Sequence, residues 1–412
     1  MNPLQTMELA VLEEGREWTR QRLERRLQAE ADAVASVCPR SARALRDVRR
    51  RALHLRTVVG EICVQVDYGR SPASGAWIHP VRKAWKLGRT ERISPELQAR
   101  LCYTATVSGS YEATAGVARC WGSPVSDDLI HALVQRRGRE VADLVAATPA
   151  PPPRRFSLVI MMDGWMARER GPDWGRSRRR HRPERVCWHE IKSSVIYQLH
   201  HRAESAGGRG LLIEKFVVAT PPDTPPVNFG EAVHAEALRR GLATAEHVYL
   251  VMDGAVWLWA LSDERFASAT KILDFHHARE HLQSVASALH GEGTDAARDW
   301  LEPLLHQLRH GSESRVLLRL EELLLQPPLA EPASQATVVR EVQYFRNHAD
   351  HIHYRRTARA GAPIGSGAVE SLGAQLQRRL RSCGQFWRRP GLTHLLALCV
   401  TFKNRDDPLL WN

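Results

Sequence analysis

The chain has 412 residues, with 58 Lys and Arg against 46 Asp and Glu and a formal net charge of +12. That length suffices for a substantial core and for two or three domains. The positive balance, carried by far more Arg than Lys, favours a polyanionic partner, because guanidinium groups bind phosphate in bidentate fashion.

The seven cysteines are an odd number at irregular spacing without a Cys-x-x-Cys pair, which argues against a disulfide framework and for reduced thiols in the cytoplasm. The N-terminal stretch lacks the apolar core of a secretory signal, and no run is long enough to span a bilayer, so no membrane partner is expected.

Leu4 to Ala35 is rich in Glu, Arg, Leu and Ala at helical spacing, which predicts a helical arm over 1–50 for packing or oligomerisation. Leu53 to Val66 alternates β-branched residues and predicts a small β module over 51–95. A mainly helical region follows over 96–146. Within it, Ser110 to Arg119, the break Trp121-Gly122-Ser123-Pro124, and Ser126 to Arg139 have the punctuation of a helix-turn-helix. Ser126 and Asp127 are placed to cap the second helix. Arg136 and Arg137 lie late on it and would be DNA-binding if it is a reader, although ordinary helical hairpins share this pattern. Pro149, Pro151, Pro152 and Pro153 mark a linker over 147–155.

Beyond the linker the pattern becomes α/β. Phe156 to Met162 predicts a buried strand ending at Asp163. Glu190 to Leu199 and Leu211 to Ala219 predict two more, Glu231 to Arg240 a helix, and His247 to Met252 a further strand ending at Asp253. Three strands, a helix and a fourth strand is the order found in RNase H-like folds, where the two acids lie on neighbouring central strands. A lone Asp-Gly is usually a turn. Two of them, each directly after an apolar run, imply acids that burial makes costly unless they are paired or metal-bound.

A third carboxylate, Glu370, follows the break Pro363-Ile364-Gly365-Ser366-Gly367 and opens a helix, where an acid also complements the helix dipole. Val369, Leu372, Leu376 and Leu380 form that helix's core stripe, with Gln377, Arg378 and Arg381 on the face of Glu370, as expected of a helix lying along DNA. Three carboxylates can hold two divalent cations roughly 4 Å apart for phosphodiester chemistry. Hard oxygen ligands suit Mg²⁺, or Mn²⁺, better than zinc.

Several blocks resemble insertion-sequence transposases of the ISKra group, which are related to Mutator-like transposases. They are Asp163-Gly164, Val251-Met252-Asp253-Gly254-Ala255-Val256-Trp257, Ile272-Leu273-Asp274-Phe275-His276-His277-Ala278-Arg279-Glu280-His281-Leu282, Pro363 to Glu370, and Arg381-Ser382-Cys383-Gly384-Gln385-Phe386-Trp387-Arg388 with Gly391 beyond. By motif order and spacing, the resemblance covers most of the chain from about Arg50 onwards. It implies a DDE transposase with Asp163, Asp253 and Glu370 as catalytic metal ligands. It also implies a site-supporting pair, Asp274 and His277, matching an acid-x-x-His signature; spacing alone favours a helix N-cap and a core histidine. A helical insertion over 276–360 would separate the RNase H-like core, 156–275, from its C-terminal part, 361–412. The zinc ribbon of related transposases is missing, since Cys38 stands alone, and no zinc is expected.

His348, His351 and His353, and the pair His277 and His281, read as solvated or DNA-facing histidines. Arg178, Arg179 and Arg180 fall in the densest basic run, expected as a phosphate clamp in the loop between the first two core strands. Glu190 either approaches the site or pairs with Lys192 or an Arg. The expected function is metal-dependent cleavage at element ends and strand transfer into target DNA, by a bacterial, nucleoid-associated protein acting on double-stranded DNA as a homodimer or larger assembly. A repurposed, non-catalytic descendant that only binds DNA is the alternative, and a structure-specific nuclease of the same fold is a third reading.

Overall fold

The computed structural model describes residues 2–38, 42–141, 155–175, 185–204 and 210–411. The chain divides into two compact units, Met1–Ala142 with Leu410–Asn412, and Asp143–Leu409.

The first unit opens with α1 (Pro3–Ala33), capped by the Asn2 side chain on Leu4 N–H. The strands β1 (Arg46–Thr57) and β2 (Gly60–Arg70) form an antiparallel hairpin, with the short β3 (Trp77–Ile78) on the far edge of β2, and α2 (Pro80–Ala84) follows. The helical arm therefore ends well before residue 50, and the first strand begins at Arg46. Leu27 and Ala31 of α1 pack on Leu53, Leu55, Ile62, Val64 and Val66. The helix also serves the sheet edge. Glu24 accepts Cys63 N–H at 3.0 Å, and the Gln28 amide both accepts Gln65 N–H (2.8 Å) and donates to Gln65 C=O (3.0 Å). Side chains four apart on one helix face thus satisfy backbone groups that an edge strand otherwise presents to water.

Three helices complete the unit: α3 (Pro95–Val107), α4 (Tyr111–Cys120) and α5 (Asp127–Glu140), capped by Ser94, Ser110 and Ser126. Their serines accept from the N–H groups of Leu97, Ala113 and Leu129, the usual geometry for removing an orphan donor.

The second unit is mixed α/β. Its strands are β4 (Ser157–Arg170), β5 (Val186–Gln198), β6 (Arg202–Glu204), β7 (Gly210–Leu212), β8 (Phe216–Ala219), β9 (His247–Met252) and β10 (Thr270–Leu273). Five of them form one sheet in the order β10-β9-β4-β5-β8, while β6 and β7 make a separate ribbon. β4, β5 and β8 are antiparallel neighbours; β9 and β10 run parallel to β4. The run Leu211 to Ala219, expected as one strand, is thus split between the ribbon and the sheet. β10, only four residues long, had no periodicity to reveal it.

The sequence expectation for the first core strand needs a larger correction. β4 does not stop before Asp163; it runs on to Arg170, paired residue by residue with β5. Beyond Met162 its burial alternates, with Trp165, Ala167 and Glu169 inward and Met166 and Arg170 outward. That is the period-2 signature of a half-buried strand, which the Asp-Gly pair masked.

One sheet face packs on α6 (Pro226–Arg239) and α7 (Val256–Arg265) through Phe229, Val233, Ala237, Leu258 and Leu261, against Leu158, Ile160 and Met162. A helical subdomain follows β10: α8 (Phe275–His290), α9 (Asp295–Arg309), α10 (Glu313–Leu325), α11 (Pro332–Asn347) and α12 (Tyr354–Arg359), with α11 against both α8 and α10. The chain then returns to the sheet as α13 (Gly367–Leu380), on β4 and β5, and α14 (Arg389–Asn404), on β8. Val369, Leu372, Leu376 and Leu380 of α13 are all buried, as their spacing predicts.

Because Leu372 is buried in the seat of α13 on the sheet, Leu372→Ala is expected to cost about 2–5 kcal/mol in urea unfolding. A change within about 0.5 kcal/mol of wild type, as at surface sites, would show that α13 does not seat there.

Candidate functional site

The register of the parallel strands brings the acids together. Met162 of β4 pairs with Met252 of β9, and Met252 pairs with Leu273 of β10. Asp163, Asp253 and Asp274 are each one residue further on, so they occupy a row across three adjacent strand positions, with neighbouring strands about 4.8 Å apart.

Asp274 is 0% exposed and is the most heavily bonded of the three. Its side chain caps α8, accepting from His276 N–H (2.5 Å) and His277 N–H (3.0 Å), and it also accepts from Ser366 N–H at the start of α13. Its own N–H donates to Met252 C=O at 2.8 Å. Its carboxyl is held below the usual carboxylate range: burial opposes ionisation, but the bonds from His277 and Ser366 outweigh it. The His277 ring lies 3.5 Å from Asp274 and has its pKa pushed up to about 9, chiefly by that carboxylate.

Asp163 and Asp253 are half-buried, and their recorded bonds are local: Gly164 N–H to Asp163 (2.7 Å) and Ala255 N–H to Asp253 (2.9 Å). Burial pushes the Asp163 carboxyl up to about 6, opposed by the Gly164 N–H and reinforced by the charges of Asp253 and Glu370. Glu370, in the exposed first turn of α13, accepts from Ser366 Oγ at 2.5 Å.

Two glycines admit close neighbours. A Cβ on Gly164 would collide with the Glu190 carboxylate, and one on Gly254 would collide with the Tyr344 ring. Glu190 pairs with Lys192 at 2.6 Å, and the buried Lys192 ammonium lies 5.2 Å from the Trp257 ring centroid. Tyr344, on α11, brings the helical subdomain over the second acid. Its buried hydroxyl has no hydrogen-bond partner among the described residues, and its ring stacks on His281 at 3.6 Å. Nothing in the sequence marked Tyr344; its only signal is helical spacing from Glu341, which bonds His281 at 2.5 Å.

The histidine reading is corrected. His348 is buried and His351 half-buried: they pack on the Trp259 ring at 4.6 and 4.3 Å, and burial drops the His348 pKa to about 4. The Trp259 indole N–H in turn donates to Asp253 C=O at 2.9 Å.

The arginines expected to contact DNA sit in different surroundings. Arg136 pairs with Glu91 (2.5 Å) and Arg137 with Glu140 (2.7 Å), and both bond the Gln98 amide oxygen, so these guanidinium groups brace α5 against α3 and the 91 turn. Arg378 is exposed on α13, while Arg381 is half-buried against Trp188. Arg178, Arg179 and Arg180 lie outside the described residues.

No family model matches the chain. No curated protein matches it either. Among solved structures, a Drosophila P element transposase strand transfer complex is similar at a TM-score of 0.36 and 11% identity, covering 76% of this chain and 92% of that one. No helix among the described residues is long and apolar enough to cross a membrane.

Whether these acids suit a metal ion turns on their chemistry. No three His, Cys, Asp or Glu side chains among the described residues form a preformed ligand group. The donor type is that of a hard divalent cation: they are carboxylate oxygens, mutually repulsive, with backbone N–H and hydroxyl contacts and the His277 charge only partly offsetting their own.

The sign of the Asp163 shift gives a test. A raised pKa means the folded state holds the proton more tightly than the unfolded one, so this stabilisation is present below about pH 3.9 and is lost as pH rises through about 6. A cation bound there would replace the proton. Mn²⁺ is therefore expected to raise the melting temperature more at about pH 8 than at about pH 5, and Asp163→Asn to raise it without metal while shrinking the metal increment. Equal increments at both pH values would count against metal binding at Asp163.

Proposed function

We propose that the chain is a DDE transposase of RNase H-like fold, which cuts DNA and transfers the freed strand using Mg²⁺ or Mn²⁺, with Asp163, Asp253 and Glu370 as its acidic centre. The observation that carries this reading is the row of acids across β4, β9 and β10, tied through Asp274 to the helix that bears Glu370. The strand order and directions are those expected of an RNase H-like core, and the motif blocks resembling ISKra-group transposases supply the same three acids.

In this reading each residue has a defined task. Asp163 and Asp253 provide carboxylate oxygens at adjacent strand positions, and Glu370 adds a third from the first turn of α13. When bound there, divalent cations supply activation of a water or 3′-hydroxyl and neutralise charge at the scissile phosphate. Asp274 holds the start of α13 so that Glu370 faces the two aspartates. Tyr344 and Trp259 cover Asp253 and exclude water from one side of it. Arg378 lies exposed on the same helix for a phosphate contact. Double-stranded DNA is the substrate, and because two ends must be joined, two or more copies assemble on it.

The non-catalytic DNA-binding reading has one observation on its side: Glu370 is engaged by Ser366 instead of standing in a preformed ligand group. One assay separates the two. With DNA spanning the gene and its flanks plus Mg²⁺ or Mn²⁺, wild type is expected to cut at discrete flanking sites and join the ends to a second plasmid. Glu370→Gln is expected to lower cutting by at least about 100-fold, the scale of losing an electrostatic catalytic group. Binding without cutting by folded wild-type protein would favour the non-catalytic descendant.

A further inference from the structure

The segment Arg381 to Arg388 has no task in the site described above, yet it is fastened along the edge of β4 that β9 leaves open. Arg170 N–H donates to Trp387 C=O (2.8 Å), and the Arg168 guanidinium donates to the carbonyls of Arg381 (2.8 Å) and Ser382 (2.7 Å). Arg170 Nε donates to Phe386 C=O (3.0 Å), and the Trp387 indole to Leu380 C=O (2.7 Å). The fastening leaves three guanidinium groups and three rings in one chain of contacts. Arg381 lies 4.8 Å from the Trp188 centroid; Arg168 lies 5.9 Å from Trp188 and 5.1 Å from Phe386; Phe386 and Trp174 are 4.7 Å apart; Arg170 lies 5.3 Å from Trp174.

These rings are not a hidden core. Trp188 is 47% exposed and Trp174 38%, although burying an indole is normally favourable. Exposed rings spaced by fixed cations are the makings of a platform for unpaired bases: each base has a face to stack, and each guanidinium meets the intervening phosphate. A duplex offers only its backbone to such a surface, because its bases are already stacked.

We propose that the Arg381–Trp188–Arg168–Phe386–Trp174–Arg170 ladder binds single-stranded DNA by base stacking. The proposal rests on the reading of the chain as a DNA-acting protein and names the form of DNA this surface takes. Its position suits that task. Arg168 is five residues along β4 from Asp163, about 17 Å in an extended strand. Arg381 closes the helix whose first turn holds Glu370.

The test is equilibrium binding in EDTA, so that it does not depend on cleavage. Fluorescence anisotropy of a labelled oligo-dT of about 15 nucleotides, near the upper site size of such platforms, is compared with a duplex of equal length. Wild type is expected to bind the single strand and to show quenched tryptophan emission. Trp188→Ala should weaken that binding about 10-fold, the scale of one lost stacking contact, while Trp188→Phe retains most of it. A melting curve checks that both variants fold. Unchanged oligo-dT affinity in folded Trp188→Ala, or preference for the duplex with no effect of the substitution, would overturn the ladder and leave these rings as an internal brace. Single-strand binding by a protein that cuts nothing would support the ladder while counting against the enzyme. No binding of either DNA by folded wild type would overturn both.

Discussion

One buried carboxylate organises the second unit. Asp274 has its N–H on Met252 at the end of β9, while its side chain caps α8 and takes the Ser366 N–H at the start of α13. A buried ionised acid is tolerable only when its lone pairs are filled, and here helix-terminal N–H groups, with the positive ends of two helix dipoles, fill them. The consequence is geometric. Two helices whose starts are 92 residues apart are drawn to one point at the end of the central strands. Removing that acceptor leaves at least one buried N–H unsatisfied, with a typical cost of about 1–3 kcal/mol, and frees the start of the helix that carries Glu370.

Asp163 shows the opposite balance. It stands in the same row as Asp274 but is half-buried, and its neighbour's N–H together with the nearby His277 charge only partly offsets the cost of its own. The two carboxylates of one row thus sit in opposite balance, one satisfied and depressed, the other under-satisfied and raised.

What the sequence disclosed follows from range of interaction. Asp163 and Asp253 were visible because each closes an apolar run, and Glu370 because a glycine-rich break precedes a leucine stripe. The serine cap at Ser126 was equally local. The continuation of β4 through Gly164 was hidden, since an Asp-Gly pair reads as a turn until a partner strand supplies hydrogen bonds. β10 was too short to show a period. The Asp274 to Ser366 bond could not be read from spacing, and neither could the packing of His348 and His351, which depends on Trp259 arriving from a distant helix. Arg136 and Arg137 looked like DNA contacts because charge is legible in a sequence, whereas their partners Glu91 and Gln98 are contributed by other elements.

The same long-range logic joins the acidic centre to the exposed ladder. α13 is fixed at both ends: its first turn by the bond from Ser366 to Asp274, and its last by the Arg168 guanidinium on the carbonyls of Arg381 and Ser382. Between those points its stripe of Val369, Leu372, Leu376 and Leu380 is buried, with the helix packed on β4 and β5. β4 therefore carries Asp163 and one anchor of the helix, and α13 carries Glu370 and the first guanidinium of the ladder. Packed interiors do not stretch, so a shift of the Arg381–Arg388 segment has few soft degrees of freedom in which to be absorbed. Nucleic acid seated on that segment would act on Glu370 through a helix clamped at both ends.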